Sequence, residues 1–513
     1  MTTTQSPHSN RARHPALVLI SVSVCTALVV GFIAAINLAV PMIGASSLRP
    51  TSSDLLWIVD AYVVVFACLV IPAGAVGDRF GRKGVLLTGL AIFALGAAAS
   101  SLAPSVSILL IGRSVTGLGA ALVLPNCVAV LIHATRPERR GHALAMWAAA
   151  SGIGGVVGNV GGGTLLNTGS WQLMFTAAAV IAVACLFWVS VVAPRSARRS
   201  RSLDPLGTVL FVAAMIALLM GIIEGPQQGW ASATVVISFA VSIALGMFWV
   251  FVELHVRHPM LDPRLFRNPL LSGASLGMVI AFFGNFGLFY VNASLLQYSR
   301  GYSVLQAGLG ILPLTLPLLF GTRYVPGLVR RFGPPAILTT AFLATSVGLV
   351  GISFATPLPY IAYAGGLFII GIGIMLAGPC LTAEIATALP LEQAGIAGGL
   401  QSATREFGSA LGVAVIGTVL TANFTQHLPA ALSNHIPVPH TVSEALAIAP
   451  AHRAMIVDAF TDGADTALRV ASVITLIAGA VVVAVVRRAA RQGMRATGQE
   501  GAQPDQTPRA GVL

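Results

Sequence analysis

The chain is a succession of long apolar stretches separated by short charged turns, and this pattern leaves few folds open to it. About 20 mostly apolar residues in helical form cross a bilayer. Runs of that kind lie near residues 17–42, 55–77, 84–103, 106–133, 141–166, 171–193, 205–224, 232–253, 269–294, 306–325, 334–355, 359–386, 400–423 and 466–487, fourteen in all. Only 9% of the 513 residues are charged and 56% are hydrophobic, with a mean hydropathy of +0.86. Soluble domains carry roughly 25% charged residues, and so few charges cannot cover a water-exposed surface. The polar opening MTTTQSPHSNRARHP precedes a run too long for a signal-peptide core, and no small-residue cleavage site follows, so that run reads as a retained first span.

The basic residues orient the spans. With the N-terminus taken as cytoplasmic, 23 of the 29 lysines and arginines fall in inner segments, whereas only Arg49, Arg300 and Arg453 fall outside. Arg113, Arg405 and Arg469 lie within or at the edge of spans. Inner loops carry such an excess, so both termini are expected in the cytoplasm. The net charge of +12 therefore reflects topology. No basic helix face or aromatic-interleaved patch accompanies it, and nucleic acid is not an expected partner. Cys25, Cys68, Cys127, Cys185 and Cys380 all fall in apolar runs without CxxC or metal spacing. They read as small buried hydrophobes, with no metal or cofactor implied.

Charge is concentrated at one turn. In IPAGAVGDRFGRKGVLLTGL, residues 71–90, four charged side chains (Asp78, Arg79, Arg82 and Lys83, the only lysine) fall within six residues. They cannot enter hydrocarbon, and the neighbouring glycines permit a tight turn with close helix approach. On charge alone the turn is a topological anchor.

The spacing adds to that reading. GAVGDRFGRKGVL, Gly74 to Leu86, resembles the signature loop of the major facilitator superfamily, G-x-L-x-D-x-x-G-R-[KR]-x-x-L. It matches at Gly74, Asp78, Gly81, Arg82, Lys83 and Leu86, with Val76 in place of Leu. The resemblance implies a gating role beside the anchoring one, with the aspartate and basic residues, Arg79 among them, latching neighbouring helices in one conformation. WIVDAY, residues 57–62, resembles the opening of span two in the 14-span drug:proton antiporters of quaternary-ammonium-compound type. RSVTGLGAA, 113–121, resembles their R-x-x-x-G-x-G-x-A in span four through Arg113, Gly117 and Gly119. GNVGGGTLLNTGSWQLMF, 158–175, resembles their span-five antiporter motif through Gly158, Gly162 and Gly163, with Asn159 inside it.

The implied fold is an all-α membrane protein with 14 transmembrane helices, two six-helix bundles and an inserted helix pair. The expected divisions are a cytoplasmic tail at 1–16, a first bundle at 17–194, and a linker with two extra helices at 195–268. A second bundle follows at 269–487, with an external loop at 424–465 and a cytoplasmic tail at 488–513. Three departures stand out. Phe32 occupies the place of the usual span-one acid in GFIAAINLAVP, although Asn37, Ala39 and Pro41 fit. Asn159 replaces the proline of G-P-x-x-G-G. GLVRRFG, 327–333, echoes the signature loop with Arg330 in the place of an acid.

Ionisable groups inside spans mark pathways or partners. Asp60 lies roughly 8 Å and Arg113 roughly 10 Å from the outer ends of spans two and four at 1.5 Å per residue. The similar depth permits an interaction, and a conformational change that alters their separation would bind and release a proton. A static structural pair and a solvated Asp60 are the alternatives. Arg405 and Glu406 start span thirteen, where they either contribute to the second bundle's cavity or mark an interfacial helix start. Phe32, Asn37, Tyr62 and Arg405 are the cavity candidates. Glu384, Glu224 and Glu253, near span ends, are expected to face water. The glycines of GIGGVVGNVGGG, 152–163, lack phosphate-loop order and suit close packing or a bent span. His427, His435, His440 and His452 fit no compact metal motif, and the C-terminal tail has the composition of a disordered segment.

The resemblance implies a secondary active efflux transporter that exports lipophilic drugs or antibiotics in exchange for protons by alternating access. Its partners are then a small lipophilic molecule, protons and the bilayer, and the expected state is a monomer in a bacterial plasma membrane. A specialised metabolite or lipid transporter with altered or no proton coupling is the alternative, supported by Phe32 and Asn159. No HExxH or paired catalytic aspartates point to an enzyme.

Overall fold

A computed structural model describes residues 15–44, 46–50, 52–167, 170–194, 204–256, 259, 261–389, 394–429, 432, 438–439 and 441–500. Arg11, Arg13, Arg195, Arg198, Arg199, Arg201, Arg257, His435 and His440 lie outside the described residues. Every regular element among the described residues is helical. The first six are α1 (Pro15–Gly44), α2 (Ser52–Phe80), α3 (Arg82–Ser101), α4 (Val106–Ala134), α5 (Arg140–Leu166) and α6 (Gln172–Val192). Two more, α7 (Pro205–Gln228) and α8 (Ala233–His255), lead to α9 (Pro269–Ser294). Then come α10 (Val304–Leu309), α11 (Leu312–Gly321), α12 (Val325–Phe332), α13 (Pro334–Ala355), α14 (Tyr360–Ala388) and α15 (Ala394–Gln426). The chain closes with α16 (Val442–Ile448) and α17 (Arg453–Glu500).

Among the described residues, thirteen spans of helix are long and apolar enough to cross a membrane, with α10 to α12 counting as one from Gln306 to Phe332. The expected fifth span, α5, is outside that set but is a continuous 27-residue helix, about 40 Å long at 1.5 Å per residue. Its length suits a crossing. Asn159 sits in its interior without ending it, since asparagine keeps the backbone N–H that proline lacks.

Local chemistry sets the ends. The Ser105 hydroxyl accepts from Ile108 N at the start of α4, and Asp204 accepts from Gly207 N at 2.8 Å at the start of α7. Gly81, with φ 102°, separates α2 from α3, and Gly333, with φ 79°, separates α12 from α13. Both turns need a backbone that L side chains rarely adopt. The tenth span is broken into three pieces, with Pro313 and Pro326 near the starts of α11 and α12 and Pro317 inside α11.

The buried core has several centres. One cluster joins residues of α1 to α6, from Val18 to Ala193, and also takes in Ala403 of α15. Two others gather residues of α9 to α17, joined by Val156 of α5. A small cluster seats Leu219 of α7 on Val64, Ala67 and Cys68 of α2. Beyond it, α8 exposes Val236, Ile237, Val241, Ile243, Met247, Phe248 and Phe251, an outward apolar face suited to lipid.

Glycine packing repeats between the halves. A Cβ on Gly158 would come 2.0 Å from Gly31 O, and one on Gly154 would come 2.7 Å from Ala27 Cα, so α5 and α1 meet backbone to backbone. A Cβ on Gly412 would come 2.3 Å from Phe283 O, and one on Gly408 would come 2.2 Å from Val279 O, so α15 meets α9 the same way. Small residues one turn apart allow this approach.

Two expectations about the C-terminal region change. The last helix reaches from Arg453 to Glu500, so the connection from α15 is shorter than 424–465 and the segment expected to be disordered continues the helix to Glu500. Arg, Ala, Met and Gln in that segment are good helix formers. All five cysteines are free and buried.

Candidate functional site

Arg113 is fully buried in α4. Its Nε donates to Ile58 O at 2.7 Å and its Nη2 to Val59 O at 3.1 Å. The guanidinium also lies against two aromatic faces, with Cζ 5.1 Å from the Phe32 ring centre and 4.8 Å from that of Tyr62. A buried arginine ordinarily needs a carboxylate. Carbonyl dipoles and ring faces compensate the charge here, and Phe32 supplies one of those faces from the usual acid's place. Nη1 is buried and has no acceptor among the described residues.

Phe32 is held in turn. Its ring meets Tyr62, Phe93 and Phe175 edge to face at centroid distances of 5.9, 5.5 and 5.5 Å. Phe32 and Tyr62 are thus core residues, 4% and 0% exposed, and do not line open space as expected of cavity residues. The Tyr62 hydroxyl donates to Val29 O at 3.2 Å. Gly117 makes the arrangement reachable, because a Cβ there would come 2.5 Å from Tyr62 O. Gly119 does the same against Phe93 N, at 2.4 Å. The R-x-x-x-G-x-G spacing brings α4 against α2 and α3 so that Arg113 can reach the α2 backbone.

Asp60 follows the two clamped carbonyls but turns elsewhere. Successive helical residues point about 100° apart, and no hydrogen bond or ion pair joins Asp60 to Arg113 among the described residues. Asp60 is half-buried and within electrostatic range of Arg113, of Glu224 on α7 and of Tyr290 on α9. The expected contact is therefore indirect: Arg113 grips the backbone just before Asp60. Glu224 is half-buried and accepts from Gln228 Nε2 at 2.8 Å.

In the second half, Arg405 and Glu406 are 6% and 2% exposed. Arg405 Nε donates to Glu406 Oε1 at 3.0 Å, and the guanidinium lies 5.8 Å from the Phe282 ring centre. The interfacial helix start does not occur: α15 begins at Ala394, which puts the pair about 16 Å along it. Tyr62 lies within electrostatic range of both residues and of Arg113.

The charged turn is a closed structure. Asp78 Oδ1 and Arg82 Nε lie 3.0 Å apart, and Arg82 Nη1 reaches toward Ala129 O of α4 at 3.5 Å. Lys83 Nζ donates to Ser190 O and Ala193 O, both at 2.7 Å, and so caps the end of α6, where a cation is favoured. A Cβ on Gly77 would collide with the Asn126 side chain, which fixes how α2 passes α4. Arg79 is half-buried and lies 5.3 Å from the Phe80 ring centre. In span five, Gly162 faces Ala35 of α1, a Cβ on Gly163 would lie 3.9 Å from Leu38 Cδ1, and Asn159 is half-buried. Asn37 is exposed.

Several polar residues have partners that the sequence reading did not assign. Glu253 was expected to face water but is 2% exposed and accepts from Trp249 Nε1 at 3.1 Å. Its partner lies four residues before it on α8, a helical spacing that was legible. Glu384 is half-buried. In α17, Asp465 accepts from Thr356 Oγ1 at 2.9 Å and Arg469 donates to Ser353 Oγ at 3.1 Å. Arg300 donates to the carbonyls of Ala355, Thr356 and Leu358, binding the end of α13.

Sequence and fold comparisons follow the same line. The chain matches the Major Facilitator Superfamily over residues 22–413 and belongs to that family. It is 33% identical over 406 residues to a methylenomycin A resistance protein of Streptomyces coelicolor, covering 77% of this chain and 85% of that one. It is 32% identical to the multidrug resistance protein Stp of Mycobacterium tuberculosis, over 80% of this chain and 77% of Stp. With the multidrug efflux pump LfrA of Mycolicibacterium smegmatis the identity is 29%, over 88% of this chain and 92% of LfrA. The fold resembles the human organic anion transporter MFSD10 with a TM-score of 0.61 and 16% identity, over 93% of this chain and 100% of the other. Its class is therefore that of a multi-pass membrane transporter of small molecules.

Proposed function

We propose that the protein exports lipophilic drugs or antibiotics by alternating access, in exchange for protons, and that Asp60 carries the proton. The observation that carries this reading is a membrane-embedded carboxylate without a hydrogen-bond or ion-pair partner among the described residues, next to a buried arginine that donates to backbone carbonyls instead. Such a carboxylate is free to exchange a proton, whereas one locked in an ion pair is not. Arg113 sets its proton affinity through distance. Relative motion of α2, which carries Asp60, against α7 and α9, which carry Glu224 and Tyr290, changes the surroundings of the carboxylate and couples the proton to access.

Rocking of the bundles at 17–194 and 269–487 around a central site supplies that motion. At the end bearing the Asp78 turn the halves meet closely: a Cβ on Gly399 would come 2.9 Å from Ile71 Cα, and one on Gly398 would come 3.1 Å from Pro125 O. Opening that end requires α15 to part from α2 and α4, and the Asp78–Arg82 latch keeps the ends of α2, α3 and α4 in place as it does. The names of the relatives favour antibiotics and other drugs as cargo.

The test is the accumulation of fluorescent dyes and antibiotics in a pump-deficient bacterium expressing the native protein or Asp60→Asn, each with and without an uncoupler. The expected result is exclusion of at least one compound by the native protein only while the gradient stands, and loss of that exclusion in an equally expressed Asp60→Asn. Gradient-dependent export by Asp60→Asn at the native level would remove Asp60 from the mechanism. Export by the native protein that survives the uncoupler would favour the metabolite or lipid transporter without proton coupling, the reading that Phe32 in place of an acid supports.

A further inference from the structure

A second candidate binding place lies away from the polar centre, on the outer surface of the second half. Between α13 and α17 a cleft of about 460 Å³ opens. The helices are pinned beside it by the Ser346 and Ser472 hydroxyls, 2.6 Å apart, and by Phe342 packed on Gly479, where a Cβ would come 2.7 Å from the ring. Leu343, Leu476, Ala480 and Val483 line its apolar length, and Arg487, Arg488 and Arg491 close one end. On α17 these positions recur every three or four residues and share one face. All three arginines are exposed, and no hydrogen bond or ion pair engages them among the described residues.

The dimensions identify the occupant. From Leu476 to Arg487 the trough runs about 16 Å at 1.5 Å per residue, close to one leaflet of a hydrocarbon core about 30 Å thick. It ends in cations on the side that the arginine distribution assigns to the cytoplasm, where anionic lipids concentrate. Three uncompensated guanidiniums exceed what a zwitterionic headgroup can balance. We propose that this cleft is a binding site for an anionic phospholipid, with an acyl chain along Leu476, Ala480 and Val483 and the phosphate among Arg487, Arg488 and Arg491. Because α17 packs along α13 and α15, a lipid seated there biases how those helices move, independently of what crosses the centre.

The experiment uses the full chain reconstituted in phosphatidylcholine vesicles doped with spin-labelled phosphatidylglycerol or, in parallel, spin-labelled phosphatidylcholine. The motionally restricted fraction reports association of each. The native protein is expected to prefer phosphatidylglycerol by at least about fivefold, the factor that one basic residue contributes near an anionic surface. The triple variant Arg487→Gln/Arg488→Gln/Arg491→Gln should bring the preference near parity. Ala480→Phe, which fills the trough at an exposed position and keeps the arginines, should lower it as well, and Arg453→Gln at the opposite end should leave it unchanged. No preference in the native protein overturns the site, as does a preference that survives the triple variant. A full preference in Ala480→Phe would mean a diffuse basic surface in place of a groove, and would overturn it too.

Discussion

Arg113 in the first half and Arg405 in the second are both buried cations, yet they are satisfied in opposite ways. Arg405 closes on a carboxylate one residue away, at 3.0 Å. Arg113 donates to two backbone carbonyls and lies against Phe32 and Tyr62. The contrast recurs at the charged turns. Asp78 and Arg82 pair across the turn from α2 to α3, whereas Arg330 and Arg331 stand at the matching place before Gly333 with no ion pair among the described residues. The backbone devices, by contrast, are shared: glycine-lined contacts between α1 and α5 and between α9 and α15, and a positive-φ glycine before α3 and before α13. The two halves thus share the close approaches that sterics demand, while their charges are placed differently. A closed ion pair is a fixed element. An arginine held by carbonyls leaves the neighbouring carboxylate available.

The largest expected effect separates the two arginines by stability. Arg405→Leu leaves Glu406 buried and unpaired, which costs about 3–5 kcal/mol. Adding Glu406→Met should recover most of that loss, because the remaining charge is gone. Arg113→Leu orphans no carboxylate and should cost about half as much or less, on the scale of ~1.5–3 kcal/mol for a hydrogen bond to a charged group. Thermal unfolding in detergent, followed by size-exclusion fluorescence, measures all three. Equal losses for Arg405→Leu and Arg113→Leu would break the distinction.

A middle-sized effect sharpens it. Phe32→Asp places a carboxylate beside Arg113 and would give the first half the closed pair that the second half already has. Both Phe32→Asp and Phe32→Asn lose the aromatic cluster and a cation–π contact worth roughly 0.5–2 kcal/mol. Phe32→Asp should nevertheless be the more stable of the two by about 1 kcal/mol through charge compensation. Equal melting temperatures would show that carbonyls and Tyr62 satisfy Arg113 without help from position 32.

The smallest effect tests what the halves share. Gly81→Ala and Gly333→Ala each force a Cβ into a positive-φ turn, costing about 1–2 kcal/mol apiece. Similar melting shifts for both are expected, and a shift at only one would mean that the two turns are not equivalent supports.

Much of this was legible in the chain. The apolar runs located the spans because a bilayer leaves a backbone no partners but its own, so each run must be helical. The signature loop was legible because Gly81 and the charges around it must sit at fixed offsets to turn and to cap. The buried state of the Arg405–Glu406 pair was not, because a run-based boundary began the thirteenth span at residue 400 whereas the helix begins at Ala394. Residues expected at a helix end thereby move well into its interior. Depth estimates placed Asp60 and Arg113 at similar levels, but level does not fix rotation about a helix axis.

By itself the sequence determined an all-helical membrane protein, its family, and the charged turn between α2 and α3. Hydropathy and fixed-offset motifs are local properties, written in consecutive residues. The tertiary structure alone decided that Arg113 grips the Ile58 and Val59 carbonyls and that Phe32 and Tyr62 are its aromatic partners. Those contacts join residues of separate helices, and they depend on rotations and close approaches that no single stretch of chain contains.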